Sequence, residues 1–320
     1  MNERRALDLI ISLLPGIRLK EKILLLDAFD SEEDLYVQSK NDIEKIIRRE
    51  LKQFWDISEI RERAGSIDTT CRMRSMKWVS LTDPDYPPLL REMYDPPCVI
   101  YYRGCLPNPE KSLLGMVGTR RPSQEASEQA YKIAGNIGRA GVSVVSGLAF
   151  GIDAISHRGN LISGSPGYAV LGSGVDEVYP SANRPLAKRI LDSGGALISE
   201  YPPGTRPSKW NFPARNRIIA ALSRSVLIVE APEKSGSLIT ADLALGQGKD
   251  VWVASSGVRE GSFDRKGTIK LMNDGAEIIN SACDVLEKWN LRGVDYVYAV
   301  QEINNRDLVT SMADFLKIEI

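Results

Sequence analysis

The stretch LLGMVGTRR, residues 113–121, shows the pattern from which the fold of this chain is predicted. Its first five residues form an uncharged, mostly aliphatic run, which is typical of a strand covered on both faces in a parallel sheet. Gly118 then permits a tight turn, and Thr119, Arg120 and Arg121 lead into residues 123–139, whose pattern predicts a helix. The stretch therefore predicts one strand–turn–helix unit of an α/β fold.

The same rhythm of strand, small polar turn and helix repeats from residue 112 onward. It predicts further strands at 142–145, 167–171, 196–198, 225–229, 250–254 and 276–279. It also predicts helices at 152–160, 182–193, 214–222 and 237–247, and a closing helix at 281–289. We expect a doubly wound, mostly parallel α/β sheet over residues 112–290, with the post-strand loops on one edge.

The residues outside this domain have other patterns. Residues 1–75 repeat apolar side chains at helical spacing and predict a small all-helical domain. Its LPGI turn at 14–17 is similar to that of a helix-hairpin-helix, which binds DNA backbone, and it also fits a plain helix packing unit. We expect residues 76–111 to form a proline- and aromatic-rich connector with one short strand, and residues 291–320 a short tail.

Composition limits the classes of function. The chain has 320 residues, 43% of them hydrophobic and 26% charged, as in an ordinary soluble globular protein. Its net charge of −1 means that any nucleic-acid surface must be a local patch. The four cysteines form no C-x-x-C pair and only one histidine is present, which argues against a zinc site or a disulfide scaffold. No signal peptide or membrane-spanning run is evident, so we expect a cytoplasmic protein. We expect neither a metal ion nor another cofactor.

The run NFPARNRIIAAL at residues 211–222 carries the densest chemical signal. We expect a loop ending at Pro213 and a helix from residue 214, with Arg215, Asn216 and Arg217 in its first turn. Cations there oppose the helix dipole, and a bound phosphate would offset them. Lys209, Trp210 and Phe212 precede this helix, and cations interleaved with aromatic residues suit single-stranded nucleic acid. The run also fits a surface helix with solvated charges and one buried phenylalanine.

Two glycine turns are further phosphate-binding hypotheses. The turn Gly118-Thr119-Arg120-Arg121 lacks the G-x-G-x-x-G fingerprint of a nicotinamide dinucleotide site, but it offers a hydroxyl and two arginines at a helix N-terminus. The alternative is a solvated arginine pair. In the turn Ser235-Gly236-Ser237, Gly236 permits a tight turn, and either Ser237 caps the next helix or the turn offers amide groups to a phosphate.

Asp153 and His157 are the strongest acid/base pair in the chain. They are four residues apart, so they share a helical face and are positioned to hydrogen-bond. No nucleophile elbow such as G-x-S-x-G accompanies them. We therefore expect a structural role, in which they fix the loop after Ser146-Gly147, and we expect no catalysis.

Short motifs follow one another in order over about residues 80–288. They are VGTRR at 117–121, VSGLA at 145–149, GID at 151–153 with His157, YP at 179–180, SEYPPG at 199–204, FP at 212–213, RNRIIA at 215–220, EA at 230–231, SGSLITA at 235–241, GT at 267–268 and DGA at 274–276. In this order they resemble the DNA-processing protein A (DprA/Smf) family.

The resemblance implies an extended Rossmann-like domain, preceded by a helical domain similar to a sterile-alpha-motif, that binds single-stranded DNA without catalysis. Family members form homodimers and load the RecA recombinase onto single strands in natural transformation, which implies the same partners here and a related role in DNA uptake or repair. Carried over by position, the family's DNA pocket falls on Gly118, Thr119, Arg120, Lys209, Phe212, Arg215 and Arg217. Our predicted site adds Arg121, Ser146, Gly147, Asn216, Ser235, Gly236 and Ser237.

The chain departs from the family pattern at Phe150, where most members have arginine, so that a charge near the pocket is lost. We also expect no C-terminal winged-helix domain of the kind that many members carry. An alternative function comes from the lonely-guy type phosphoribohydrolases, whose fold is similar and which bind phosphate where Ser235-Gly236-Ser237 stands. Their Pro-Gly-Gly-x-Gly-Thr signature is missing. A sensor of a small nucleotide is a third hypothesis.

Overall fold

The computed structural model describes residues 3–52, 55–259 and 265–291. Its first part consists of five helices: α1 (Glu3–Leu13), α2 (Leu19–Ala28), α3 (Glu32–Tyr36), α4 (Lys40–Ile47) and α5 (Ile57–Met73). Their apolar faces, including Leu7, Leu25 and Ile43, are buried together, so helices form where the apolar spacing predicts them. Apart from Leu291, the predicted tail lies outside the described residues.

The turn between α1 and α2 is closed by groups of the chain itself. Arg49 donates to the Gly16 carbonyl at 2.9 Å, and the Glu21 carboxylate accepts hydrogen bonds from Arg49 and from the Arg18 amide at the start of α2. The hydrogen bond from Arg49 lowers the pKa of Glu21. Because a carboxylate already occupies this helix N-terminus, the geometry favours a packing unit over a helix-hairpin-helix that receives a DNA phosphate.

Within the described ranges, nine strands form one sheet: β1 (Lys77–Ser80), β2 (Val99–Gly104), β3 (Leu113–Val117), β4 (Ser143–Ser146), β5 (Tyr168–Val170), β6 (Ala196–Ser199), β7 (Ser225–Ile228), β8 (Asp250–Ala254) and β9 (Glu277–Ile279). Their order across the sheet is β1-β2-β6-β5-β4-β3-β7-β8-β9. Every pairing from β6 to β9 is parallel. The doubly wound, mostly parallel sheet is confirmed, and the predicted strands agree within one or two residues.

The predicted connector at 76–111 contributes more than one strand. It supplies β1 and β2, which pair antiparallel, and the short helix α6 (Pro88–Arg91) between them. Strand β2 in turn pairs antiparallel with β6 and covers what would otherwise be a free edge of the parallel sheet. The prolines lie between the strands, where no ladder hydrogen bonds are required.

Helices cover both faces of the sheet. They are α7 (Gln124–Arg139), α8 (Ile152–Ile162), α9 (Arg184–Asp192), α10 (Asn211–Leu222), α11 (Gly236–Gly246), α12 (Lys266–Asn273) and α13 (Ala282–Lys288). On one face, Leu114 and Met116 of β3 belong to the core formed with α7 and α13. On the other face, Val117 belongs to the core formed with α10 and α11. None of the helices within the described ranges has both the length and the apolar character that crossing a bilayer requires.

The sheet reverses its winding direction between β3 and β7. These neighbours are parallel, but the chain continues from β3 toward β4 on one side and from β7 toward β8 on the other. The helices that follow them, α7 and α11, therefore diverge at the carboxyl ends of the two strands. Such a switch point leaves a crevice in which open α/β sheets bind ligands.

Candidate nucleic-acid interface

A cavity of about 710 Å³ lies at the carboxyl ends of β3 and β7. It is bounded by the loops after β3 and β4 and by the starts of α10 and α11. Ten of the fourteen residues that we predicted from the sequence line it, namely Gly118, Thr119, Arg120, Lys209, Phe212, Arg215, Asn216, Ser235, Gly236 and Ser237. Folding thus brings together residues from separate stretches of the chain.

The loop after β3 presents Arg120 beside the cavity on a fixed backbone. The Thr119 amide donates to the Glu230 carbonyl at 2.7 Å, and the Ile152 amide donates to the Thr119 carbonyl at 3.2 Å. A Cβ atom at Gly118 would lie 2.7 Å from Ile152 Cγ1 and 2.9 Å from the Glu230 carbonyl oxygen. Glycine is therefore required here for close packing, and the Arg120 side chain remains exposed.

Helix α10 begins at Asn211, three residues earlier than predicted. Pro213 lies within its first turn, where a missing amide hydrogen costs nothing, and does not mark the end of a loop. Arg215 consequently lies one turn inside the helix. The prediction that Arg215, Asn216 and Arg217 occupy the first turn, where a phosphate would offset their charge, is wrong.

Arg215 forms the floor of the cavity and is not a free cation. Its side chain is buried, and Nη1 donates to the Gly147 carbonyl at 2.8 Å and to the Val170 carbonyl. Burial lowers the pKa of Arg215 to about 10, although the nearby Asp153 carboxylate favours the charged form. The guanidinium stays charged at neutral pH, so it contributes positive potential while its hydrogen bonds serve the protein.

Arg217 does not line the cavity, contrary to our prediction. Its Nη2 donates to Glu200 at 2.6 Å, and its Nε lies 3.7 Å from Asp95. Burial raises the pKa of Glu200, and the positive charge of Arg217 opposes that rise. Arg217 is therefore an ion-pairing residue between α10, the loop after β6 and the segment that precedes β2.

Three other predicted residues also lie outside the cavity lining. Arg121 is exposed but is not among the residues that line the cavity. Ser146 is fully buried and donates to the Met116 carbonyl at 2.6 Å, which ties β4 to β3. Gly147 packs against Arg215, since a Cβ atom there would lie 2.4 Å from Arg215 Nη2. Ser146 and Gly147 support the site from beneath.

The N-terminus of α11 faces the cavity. Ser235 Oγ accepts a hydrogen bond from the Ser237 amide, so Ser235 is the N-cap of α11. The prediction that Ser237 caps this helix is wrong, because α11 begins at Gly236 and Ser237 lies within its first turn. Ser235, Gly236, Ser237 and Thr240 all line the cavity. Because the first amides of a helix carry partial positive charge, this arrangement also suits an anion. The predicted phosphate contact stays a prediction.

Aromatic side chains flank the entrance formed by α10. The Phe212 ring packs against Tyr179 with 5.5 Å between centroids, and the Lys209 ammonium lies 4.8 Å from the Trp210 ring centroid. Tyr179 lines the cavity together with Phe212. The sequence reasoning did not assign Tyr179 to the site, although its Tyr-Pro motif was among those that carry the family resemblance.

The lining is strongly cationic. Its charged members are Arg120, Lys209, Arg215 and Lys234, with Asp153 as the acidic member. Four cations against one carboxylate make a local positive patch in a chain whose net charge is −1. Lys234 was missed in the sequence, where its position directly before the Ser235-Gly236-Ser237 turn was the available signal.

Asp153 fixes the loop after β4, as predicted, but it does not act with His157. The Asp153 carboxylate accepts hydrogen bonds from the Gly147 and Ala149 amides at 3.2 and 3.3 Å. His157 is fully buried, and neither ring nitrogen has a hydrogen-bond partner among the described residues. Burial lowers the pKa of His157 to about 3. The predicted hydrogen bond between Asp153 and His157 is absent within the described part of the chain.

Comparisons with known proteins show which family this chain resembles. A family model described as DNA recombination-mediator protein A matches residues 77–290. The protein Smf of Synechocystis sp. is 43% identical over 221 residues, which cover 67% of this chain but only 54%, about half, of that relative. The solved structure of DNA processing protein A from Streptococcus pneumoniae superposes with a TM-score of 0.69 at 31% identity, covering 90% of this chain and 98% of that one.

A second solved structure concerns the single-stranded DNA binding mode of DNA processing protein A from Helicobacter pylori. It superposes with a TM-score of 0.59 at 26% identity and covers 67% of this chain and 95% of that one. The family model itself runs from the start of β1 past the end of α13, so it includes the whole sheet and the cavity at its switch point. The chain belongs to the DNA recombination-mediator protein A family.

Proposed function

We propose that this protein binds single-stranded DNA in the switch-point cavity and acts as a recombination mediator. The observation that carries the proposal is the composition of the cavity, in which four cations, an aromatic pair and a helix N-terminus surround one crevice. Phosphates of a single strand would meet Arg120, Lys209 and Lys234, and a base would stack on Phe212. The family membership and the single-stranded DNA binding of the Helicobacter pylori relative support this reading.

The proposal extends to the mediator's partners. A protein of this role would protect incoming single strands and load the RecA recombinase in natural transformation, DNA uptake or repair, as a homodimer. The family resemblance supports this extension. Light scattering of the purified protein tests the dimer, and RecA-dependent strand exchange on coated single strands tests the loading.

We further propose that the site performs no catalysis. The acid and base that come nearest to a catalytic pair have other roles, because Asp153 holds two loop amides and His157 is buried in its neutral form. Incubation with adenosine monophosphate tests the phosphoribohydrolase alternative. Release of free base that depends on the purified protein would contradict the proposal.

Replacing Arg120 or Lys209 by alanine should weaken single-strand binding and reduce its salt dependence. Each side chain that contacts one phosphate contributes about 0.7 to the slope of log affinity against log salt. Fluorescence anisotropy with a labelled oligonucleotide across a salt series measures both quantities, and a duplex of the same sequence tests preference for the single strand. Lys111→Ala is the matched control, since Lys111 is exposed just before the amino end of β3, on the opposite edge of the sheet.

Unchanged affinity and slope in both variants would remove the proposed DNA pocket. Equal binding of single and double strands, or no binding of either, would indicate that the cavity serves a smaller ligand. Thermal-shift measurements with nucleotides would then test the small-nucleotide sensor.

Phe212→Ala should weaken single-strand binding by about 1–3 kcal/mol if the ring stacks on a base. The Phe212 side chain is partly exposed in the cavity wall and is supported by Tyr179, so its loss removes a platform without opening the core. Anisotropy at constant salt measures the binding loss, and the melting temperature of the variant is the control. A lowered melting temperature with an equal loss on every nucleic acid would identify Phe212 as a packing residue instead.

A further inference from the structure

Two exposed aromatic side chains are sequence neighbours of the cavity lining, and neither is among the residues that line the cavity. Phe150 is 50% exposed and Trp210 is 74% exposed. Each is the immediate neighbour of a lining residue, Ala149 in one case and Lys209 in the other. Single exposed apolar residues are common, but large rings at the rim of one cationic crevice form an apolar surface that favours contact with a ligand.

The backbone that carries Phe150 is held on both sides. The Asp153 carboxylate accepts from the Ala149 amide at 3.3 Å, and Asn183 Nδ2 donates to the Ala149 carbonyl at 3.3 Å. On the other side, Gly151 has a φ of +71° and packs so closely on the preceding loop that a Cβ atom would lie 2.3 Å from the Thr119 carbonyl oxygen. Phe150 is thus presented next to Arg120 by a loop that needs no ordering when a ligand binds.

Trp210 is presented at the start of α10 in a similar way. It is the residue immediately before the helix, between the lining residues Lys209 and Phe212. The Lys209 ammonium lies 4.8 Å from the ring centroid, which pairs a cation with an aromatic face at one place. A phosphate and the adjoining base of one nucleotide have complementary chemistry to this pair.

We infer that Phe150 and Trp210 are base-stacking positions that extend the path of a single strand beyond the cavity. The inference rests on the proposed function and deepens it. Charge complementarity selects the occupant, because Arg120 beside Phe150 and Lys209 beside Trp210 provide for the phosphates while the rings provide for the bases.

The two rings should make affinity depend on strand length. A short oligonucleotide fills the cavity alone, whereas a longer one also reaches the rim. We expect Phe150→Ala and Trp210→Ala to bind long strands roughly 5- to 100-fold more weakly than the unmodified protein does. Phe150→Ala should bind the shortest strands with unchanged affinity.

The experiment measures anisotropy of labelled oligodeoxythymidylates from about 4 to about 20 nucleotides, a range that spans typical single-strand site sizes. Tyr36→Ala serves as the matched control, because Tyr36 is an exposed aromatic residue on α3. Phe150→Leu keeps an apolar side chain without a ring, and it should lose the increase in affinity with strand length as Phe150→Ala does. Phe150→Tyr should retain it. Phe150→Arg should raise the salt slope by about 0.7.

The outcomes separate this inference from the proposed function. Binding of all lengths by Phe150→Ala and Trp210→Ala with the affinity of the unmodified protein would overturn the stacking positions and leave the cavity site intact. Retention of the full length-dependent gain by Phe150→Leu would likewise overturn stacking at 150. Failure of the unmodified protein to bind any single strand would overturn the proposed function, and the stacking positions with it.

Discussion

Replacing Arg215 by alanine is expected to lower the free energy of unfolding by about 3–5 kcal/mol, because it breaks a buried charge network. Arg215 is 5% exposed, and its guanidinium donates to the Gly147 and Val170 carbonyls at two different strand ends. It also lies near Asp153, whose carboxylate is buried. Alanine leaves those carbonyls without their donor and that carboxylate without its compensating cation.

The loss in free energy of unfolding caused by Arg215→Ala should depend on pH. Burial raises the pKa of Asp153, and the positive charge of Arg215 opposes that rise. Without Arg215 the pKa of Asp153 in the folded state rises further above its value in the unfolded chain. A carboxyl group of this kind contributes stability below its unfolded pKa that is lost as the pH rises through the folded pKa. The loss in free energy of unfolding should therefore be smaller in acid and reach its full value at neutral pH.

Denaturant unfolding at several pH values measures this loss. Arg121→Ala is the control, because Arg121 is exposed and its loss should change stability by less than about 0.5 kcal/mol. Arg215→Lys keeps the charge but cannot form the forked hydrogen bonds. Its free energy of unfolding should lie between those of Arg215→Ala and the unmodified protein. Asp153→Asn should restore part of the loss in the double variant, as expected of coupled neighbours. Normal stability of Arg215→Ala together with lost DNA binding would instead make Arg215 a phosphate contact.

His157 should make the protein lose stability as the pH falls from about 6.5 to about 3, by about 1.4 kcal/mol per pH unit and about 5 kcal/mol in all. Burial holds the pKa of His157 at about 3 in the folded state. In the unfolded chain the imidazole has its ordinary pKa, so over this range only the unfolded state binds the extra proton. A group with a depressed pKa in the folded state therefore favours unfolding as acid is added.

The chain contains a single histidine, which makes this prediction easy to measure. The imidazole nitrogen signals in a pH titration by NMR should stay those of the neutral ring until the protein unfolds. His157→Leu, of similar volume, should show a shallower loss of stability in acid, with other titrating groups unchanged. An imidazolium signal from the folded protein near pH 6 would contradict the burial of His157 as a neutral group.

Much of the fold follows from local patterns. Strand β3 has the predicted bounds because a strand that is covered on both faces carries no charged residue, and all five of its residues are buried. Strand β8 also has the predicted bounds, and only its first residue, Asp250, is exposed. Most of the candidate site is predictable for a related reason. Loops that follow parallel strands meet at one edge of the sheet, so the glycine turns at 118 and 236 lie in the same cavity.

The role of residues 76–111 could not be predicted from the sequence and became clear only in the tertiary structure. Their prolines and aromatic residues indicate a connector, yet β1 and β2 extend the sheet by pairing along β6. Strand pairing joins residues that are far apart in the chain, such as Tyr101 and Ser199, and no local pattern encodes that choice of partner.

From the sequence alone, residues 211–222 are recognisable as a cluster of cations next to aromatic residues. Which group each arginine contacts depends on the tertiary structure. Arg215 and Arg217 are two positions apart on α10, so they project about 200° apart around its axis. Arg215 meets carbonyls at the ends of β4 and β5 beneath the cavity, whereas Arg217 meets Glu200 and Asp95 away from it. These partners come from distant parts of the chain. The sequence gives the charge of an arginine, but the tertiary packing around the arginine determines which groups it contacts.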